Sequence, residues 1–484
     1  MLIDDAAVDP RLRGIWYRIY AQGTYSSISL DDIKSLAEEK NICILELKEV
    51  DFGYDALTKG VLIKTHTGSA IFPRVKATEV DLHQQRIAPT KSYENYWRHI
   101  DWFLPPYITN GSLNDAFERS GVRPKNFNSI DSTTAQERFE FEFPSLYPLS
   151  LIIPVTIQNL PKSAAIGKHM PIIKEAILAF YSGMKVAAIA ALIPIIEDIL
   201  RTIVGENGND LDNISNINKC FNNACRNALL LDIHKVDWIP AEYSSIEYLK
   251  INNERIFMME TLRAWLLNSF YANTDNYNKH SGFNRHHFAH ALSDIWQNQT
   301  NFFRAIGLIQ GLAFVECFSS LGNNMSIFVP TANEASKSFH AEVISCIHTQ
   351  QAKKIILNRY QIDNELPFNA TASDDGWLLR ACILSEKMND IVITQLRNAG
   401  WQCHSFGDPV REGEYITVEA KKNDKNIRIA LVYSFSVSRE VYTTLGEHYD
   451  YILCQGTSYH ADEYTSHLEC IALPLNAWLV PESS

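Results

Sequence analysis

The spacing of hydrophobic and polar residues predicts a mixed first domain. Ser29, followed by acidic residues, indicates the start of a helix, because a side-chain oxygen there caps free backbone N–H groups. Alternating hydrophobic positions then predict a strand over residues 42–50, and residues 60–75 predict a hairpin that turns at 67–68. We therefore assign residues 1–145 to an N-terminal α/β domain.

The next region follows a helical period. Prolines recur between residues 144 and 161, which argues against a long helix and indicates a domain boundary. Beyond them, helical spacing predicts four segments: 174–201, 214–231, 253–270 and 301–320. We expect the first of these to be kinked or restarted at Pro194. With one more helix near residue 290, they predict a helical bundle over residues 146–325.

The last third of the chain predicts another α/β domain. A helix over 336–360 forms a helical extension (residues 326–362), and a segment rich in Asp, Asn, Pro and Ser follows as a linker. The domain over 376–484 contains predicted helices at 377–399 and 439–448 and predicted strands at 401–405, 415–421, 427–434 and 451–455. The predicted fold class is thus multidomain, with a central helical bundle flanked by mixed α/β domains.

Charge and composition bear on how the protein could bind nucleic acid and on where in the cell it acts. The net charge of −12 argues against non-specific wrapping of nucleic acid, although a local basic cleft remains compatible with it. Nine cysteines without a CxxC pair indicate reduced thiols, and the N-terminus lacks a secretory pattern. The most hydrophobic stretch, 186–196, is about half of the roughly 20 residues that a membrane span needs. We expect a cytoplasmic protein that does not bind a membrane.

Ionisable residues are densest in the seven-residue stretch Asn-Arg-His-His-Phe-Ala-His that begins at Asn284. Asn284 or Ser281 is a candidate helix cap, which places Arg285 in the first turn, where free N–H groups favour an anion such as phosphate. The hydrophobic residues of this stretch and the next predict a core-facing stripe: Phe288, Ala291, Leu292 and Ile295. His290 then lies opposite the stripe, with His286 one turn away on the same polar face.

This pattern resembles the Rx4–6H signature of HEPN domains, with Arg285 followed by His286 and then by His290. The segment 192–201, which carries Glu197 and Arg201, is similar to an earlier helix of such bundles. The resemblance covers roughly residues 165–325.

The resemblance implies a metal-independent RNA endonuclease that needs no cofactor and acts as a homodimer, with two motifs facing one cleft. His290 would be the catalytic histidine, Arg285 its phosphate partner and His286 the intervening polar residue. Histidine, with an ordinary pKa of about 6.5, suits either proton transfer, and arginine suits the phosphoryl oxygens. The products would carry 2′,3′-cyclic phosphate ends, and the family suggests a context of antiviral (phage) defence or a toxin.

Two other functions are possible for the same region, and the role of Glu197 is open. The bundle could be an inactive sensor or dimerisation module that binds RNA or a protein partner without cutting. His286, His290 and Asp294 at helical spacing could instead ligate a metal. Glu197 could orient Arg285 or His290, supported by Asn284 and Arg201, or it could form an ordinary intrahelical ion pair with Arg201.

A second enzyme hypothesis concerns the C-terminal domain. Asp408, and Glu419 with Lys421 on a predicted strand, loosely resemble the PD-(D/E)xK pattern, with Glu386 on the preceding helix. In that pattern carboxylates hold Mg²⁺ and the lysine steadies the attacking water, which would make this domain a DNA nuclease. The sequence departs from the family because one clear strand, not two, precedes the Glu-x-Lys strand. A binding domain without activity is the alternative.

An aromatic cluster lies before these domains, next to basic residues: Tyr93, Tyr96, Trp97, Trp102 and Phe103. Such residues can form a stacking platform for bases or part of a hydrophobic core. The pattern alone leaves both interpretations open.

Overall fold

A computed structural model describes residues 2–205, 213–273, 277, 279–290, 292, 295–320, 325–364, 377–407, 409, 414–433, 439–455 and 465–481. The chain forms two compact units. The first comprises Met1–Ile177 and Val186–Ala341, and the second comprises Leu178–Lys185 and Glu342–Ser484. Helices and strands occur in both units, as the mixed fold class predicts.

The first unit begins with two helices and a three-stranded antiparallel sheet: α1 Pro10–Ala21, α2 Leu30–Glu39, β1 Ile44–Phe52, β2 Thr58–Thr65 and β3 Gly68–Pro73. The predicted cap is confirmed, since the Ser29 hydroxyl accepts the Asp32 N–H and the Asp32 carboxylate accepts the Ser29 N–H. The predicted hairpin is also confirmed, with Thr65 paired to Gly68 across the turn.

Helices make up the rest of this unit. They are α3 Asp81–His99, α4 Asn110–Ser120, α5 Ser132–Glu140, α6 Phe143–Leu146, α7 Leu149–Pro154, α8 Met170–Tyr181, α9 Lys185–Val204, α10 Asn213–Asp232, α11 Ala241–Ser244, α12 Ile246–Asn252, α13 Glu254–Trp265, α14 Arg285–Ala289 and α15 Thr300–Cys317. The chain continues into α16 Glu334–Asp363. The last residues of α8 and most of α16 belong to the second unit.

The α-helices among the prolines are short, as expected, with four residues in α6 and six in α7. Helix α7 then passes directly into a π-helical turn, Val155–Asn159. The expectation of a restart at Pro194 is wrong. Helix α9 runs unbroken through Pro194, which is exposed, so that water can reach the carbonyl that proline leaves unpaired. The break in the segment predicted as 174–201 lies instead at Gly183, whose φ of +88° suits glycine.

Helix α15 is the central element of the first unit, since every residue from Asn301 to Glu316 is buried. A helix that is apolar on most sides can be covered on all of them. The sheet packs in this same unit, where the Ser69 hydroxyl donates to the Asp237 carboxylate and the Tyr243 hydroxyl donates to the Val75 carbonyl. Residues 1–145 and the bundle region thus share one compact unit, and the predicted domain bounds themselves stay a prediction.

The second unit contains α17 Trp377–Lys387, α18 Thr394–Asn398, β4 Gln402–Phe406, β5 Tyr415–Lys422, β6 Lys425–Val432, α19 Arg439–His448, β7 Tyr451–Cys454 and β8 Ile471–Pro474. Its sheet has the order β4-β5-β6-β7-β8, antiparallel up to β6 and parallel beyond it. One face packs against α17 through Leu384 and the other against α19 through Leu445. Strand β8 has no counterpart in the sequence prediction, because four residues give too short an alternation to recognise.

Candidate functional site

Asn284 fixes the start of the motif helix. Its side-chain oxygen accepts the backbone N–H groups of His286, at 2.9 Å, and His287, at 3.1 Å. Its amide nitrogen donates to the carbonyls of Ser269 and Ala272 at 2.8 and 3.0 Å. The buried Asn284 therefore caps α14, as predicted, and ties it to the end of the preceding helical segment.

Arg285 is held by a carboxylate from another helix. Its Nε atom forms an ion pair with Glu197 of α9, and its guanidinium lies 5.9 Å from the centre of the Tyr271 ring. Both charged side chains are half-buried. Burial raises the pKa of Tyr271, and the charge of the exposed Arg201 opposes that rise. The structure thus brings Glu197, Arg201 and Arg285 to one place, and the Glu197 contact is the one that an orienting role requires.

The two histidines of the signature lie side by side. The rings of His286 and His290 are almost parallel, with centroids 6.3 Å apart. His290 is exposed, whereas His286 is half-buried. Burial lowers the pKa of His286 below its ordinary value, and the neighbouring positive charge of Arg285 lowers it further. His286 therefore keeps a neutral ring, able to accept a proton, to a lower pH than a free histidine.

The predicted amphipathic helix is wrong in its length. Helix α14 ends at Ala289, and Leu292 and Ile295 are exposed instead of forming a core-facing stripe. Ala291 and Asp294 lie outside the described residues. Ile295 lies close to the backbone of Gly282, since a Cβ placed on Gly282 would be only 2.7 Å from the Ile295 Cβ. Phe288 packs against Trp296, with ring centroids 5.0 Å apart.

A buried polar network supports the motif from behind. The Asp101 carboxylate accepts the hydroxyls of Ser269 and Ser281. Asn301, at the start of α15, donates to the Ser281 carbonyl at 2.7 Å. Since Asn284 bonds to the Ser269 carbonyl, the start of the motif is attached to buried groups.

The same network includes a buried ion pair. Arg304 of α15, which is fully buried, pairs with Glu140 of α5. Glu140 also accepts the side-chain N–H of Gln136 and the hydroxyl of Thr300. Burial alone would raise the pKa of Glu140, but the charge and hydrogen bond of Arg304 lower it overall. The carboxylate therefore stays charged in a place where an unpaired charge would be costly.

Sequence reasoning missed a second charged group on α9. Asp198 forms ion pairs with Lys168, at 2.5 Å, and with His169, at 2.8 Å. The Lys168 contact holds the pKa of Asp198 below its usual value, with a smaller effect from His169. Nothing in the spacing of these residues signals the contact, because it depends on how the turn before α8 packs against α9.

The C-terminal nuclease hypothesis gains little from the structure. Glu419 and Lys421 alternate with Val418 and Ala420, whose side chains pack on the α17 side of the sheet. They therefore face away from the α17 side, on which Glu386 would have to meet them. Glu419 lies 3.7 Å from His404 and is paired in register with Arg428.

Two further findings bear on metals and membranes. Asp408 lies outside the described residues. Within the described ranges, no three His, Cys, Asp or Glu side chains are grouped so that they could hold a metal ion. None of the described helices is both long and apolar enough to span a membrane.

The aromatic cluster is largely core. Tyr96, Trp97, Trp102 and Phe103 are buried, and Tyr96 packs edge-on against Phe117 at 5.1 Å. Packing in the core is the interpretation that the structure favours.

Comparison with known proteins adds no assignment: no family model matches the chain, and no curated protein or solved structure matches it significantly.

Proposed function

We propose that this chain is a metal-independent RNA endonuclease of the HEPN type. The observation that carries the proposal is the contact of Arg285 with Glu197, next to the parallel rings of His286 and His290. Arginine presents five N–H donors in a planar fork, which suits the non-bridging oxygens of a phosphate. The Glu197 carboxylate lies on the Nε side of that fork, and its charge favours this placement of the guanidinium.

The two imidazoles supply the proton transfers. A base must take the proton of the ribose 2′-hydroxyl, and an acid must protonate the 5′ oxygen that leaves. The half-buried His286, with its lowered pKa, suits acceptance of a proton. The exposed His290 lies beside it. His290 suits protonation of the leaving 5′ oxygen, or it could act as the base from the other side of the phosphate. The products would be a 2′,3′-cyclic phosphate and a 5′-hydroxyl.

A second copy of the chain would complete the site. His290 faces solvent, and the exposed side chains of Leu292 and Ile295 lie next to it in sequence. Apolar side chains beside a half-open site are the kind of surface that a homodimer buries. We propose that two motifs face each other across this surface and share one RNA strand.

The test is cleavage of total cellular RNA in the presence of EDTA. We expect the wild-type chain to cut and His290→Ala and Arg285→Ala to lose roughly 10²-fold or more of the activity, because each removes a group used in the transition state. His66→Ala is the matched control, since His66 is an exposed histidine of the same unit in a hairpin turn. Loss of cleavage in EDTA, or full activity in His290→Ala, would contradict the proposal.

A further inference from the structure

A cavity lies in the first unit behind the motif. Its volume is about 440 Å³, within the range of roughly 300–1,000 Å³ that small-molecule sites occupy. Three indole rings line it: Trp97, Trp102 and Trp265. All three are buried, and Trp102 meets Trp265 edge-on at 5.1 Å. Walls of this kind suit a flat ring system.

The cavity contains a buried carboxylate. Asp101 lines it and is only 2% exposed. Its two oxygens accept the hydroxyls of Ser269 and Ser281, and each oxygen keeps a further lone pair. Burial raises the pKa of Asp101 in spite of the nearby positive charges of Arg304 and Lys279. Asp101 is therefore a buried acceptor at the wall of the cavity, in addition to its place in the network behind the motif.

Two of the residues that line the cavity carry a donor without a partner. The indole N–H groups of Trp97 and Trp102 are buried and have no hydrogen-bond partner in the part of the chain that the structure describes. Trp97 itself is 1% exposed. A buried donor left unpaired is uncommon and is often satisfied by a ligand or water. The residues around the cavity thus include one carboxylate acceptor, Asp101, and two unpartnered indole donors.

The remaining charged residues at the cavity are mostly basic. Arg98 and Lys279 line it, together with Glu94. Glu94 is already paired with Arg98 at 2.7 Å and with Lys250 at 3.4 Å. Arg98 is more than half exposed, so it marks the solvent side of the cavity. Basic side chains at the entrance of an aromatic pocket favour a ligand that carries phosphate.

We propose that this cavity binds a guanine base carrying a phosphate, either as a free nucleotide or as one residue of single-stranded RNA. Guanine is the base whose pairing edge has two adjacent N–H donors, at N1 and N2, which match the two oxygens of Asp101. Its O6 is an acceptor for the Trp97 N–H. Adenine and cytosine each present a single amino group there, and uracil presents a single N–H between two acceptors, so none of them offers paired donors.

Ser269 connects the cavity to the motif. The Ser269 hydroxyl bonds to Asp101, and the Ser269 carbonyl accepts the side-chain N–H of Asn284. A base drawn out of a single strand and stacked on an aromatic side chain is a common form of RNA recognition. If the source of the base is RNA, the inference rests on the proposed nuclease function and supplies its base preference.

The test is equilibrium binding to the full-length His290→Ala chain, which avoids cleavage. The probes are GMP, AMP, a short oligouridylate and the same oligouridylate with one central guanosine. We expect the guanine member of at least one pair to bind roughly tenfold more tightly, the discrimination that a bidentate contact provides. Preference for GMP indicates a free nucleotide, and preference for the guanosine oligonucleotide alone indicates RNA. Equal binding within both pairs, or no binding at all, overturns the proposal.

Two added substitutions locate the site. Asp101→Asn should weaken guanine binding about tenfold or more, and Asn tolerates the φ of +51° at this position. Asp55→Asn is the matched control, because Asp55 has a similar φ of +59° but is exposed and does not line the cavity. Unchanged binding in Asp101→Asn contradicts the assignment.

Trp97→Phe keeps the aromatic ring and removes the N–H, so it decides the question should Asp101→Asn fail to fold. Its control is Trp401→Phe in the second unit, where the buried indole N–H also lacks a partner among the described residues. We expect weaker guanine binding in Trp97→Phe alone. A chain that binds guanine but cuts no RNA would overturn the proposed nuclease and leave the pocket standing. A chain that cuts RNA but shows no preference for guanine in binding would support the proposed nuclease and overturn the guanine pocket.

Discussion

In the first unit, the fold brings Arg285 into contact with Glu197, Asn284 caps the helix that carries Arg285, and a buried network lies behind them. In the second unit, Glu419 and Lys421 lie on a strand, half or fully exposed, and the helix with Glu386 packs on the opposite face. Both sets of residues suggested nuclease chemistry in the sequence. The difference teaches that spacing along a chain indicates chemistry only when separate elements deliver partners to the same place.

The largest difference between the two regions should appear in stability. Glu140→Gln removes the negative partner of the fully buried Arg304 and should lower the free energy of unfolding by about 3–5 kcal/mol, since an unpaired charge stays buried. Glu419→Gln changes an exposed pair with His404 and should cost no more than about 1 kcal/mol. Urea unfolding followed by circular dichroism measures both. Equal effects would mean that the buried pair contributes no more to the free energy of unfolding than the exposed pair does.

A smaller effect is expected on catalysis when the residue that orients Arg285 is changed. Glu197→Gln should lower the rate of RNA cleavage about 10- to 100-fold, the usual loss when a supporting side chain is removed from a functional one. Asp198→Asn is the matched control, because Asp198 is the next residue of α9 and contacts Lys168 and His169 instead. Similar losses in the two variants would assign the effect to the helix and not to the Arg285 contact.

A modest shift is expected in the titration of His286. Burial and the charge of Arg285 lower its pKa, so an NMR titration should give a value below the ordinary 6.5 or so. In Arg285→Gln the charge next to His286 is gone, and the pKa of His286 should rise. Since a general base must be unprotonated, the acidic limb of the pH–rate profile should lie below pH 6.5 in the wild-type chain. A wild-type pKa above that value contradicts the arrangement.

The smallest effect is expected in the second unit. Glu419→Ala and Lys421→Ala should leave RNA cleavage in EDTA unchanged, because these residues do not belong to the proposed site. We also expect no Mg²⁺-dependent DNA cleavage by the wild-type chain. Measuring both nucleic acids with and without Mg²⁺ tests this directly. DNA cleavage that requires Mg²⁺ and disappears in Glu419→Ala would restore the C-terminal hypothesis.

Local signals in the sequence predicted local structure well. Ser29 and Asp32 are three positions apart, as a capping box requires, and the structure forms one there. Asn284 likewise caps α14, because its preference is for the backbone groups of its own next turn. In the second unit, β5 shows the alternation that predicts a strand, because only one of its faces lies on the hydrophobic core. Strands β6 and β7 are hydrophobic on both faces, since helices cover the sheet on either side there.

Tertiary relationships could not be predicted in the same way. The hydrophobic residues Leu292 and Ile295 have helical spacing, but α14 ends at Ala289 and the chain at Ile295 lies close to Gly282. The ion pair of Arg304 with Glu140 joins positions far apart in the chain. The cavity beside Asp101 likewise depends on three separate segments. Such features follow from packing, which the order of residues does not display.

Helix α15 has a consequence for how the chain can change. Because it is enclosed from Asn301 to Glu316, almost any enlargement there meets a neighbour; a Cβ on Gly311 would lie 2.9 Å from a Leu262 methyl. The side chains of Leu292 and Ile295, which precede it, are exposed and have more room. We expect a library of random substitutions scored for folded protein to be depleted more sharply from residue 301 to residue 316 than at these two positions.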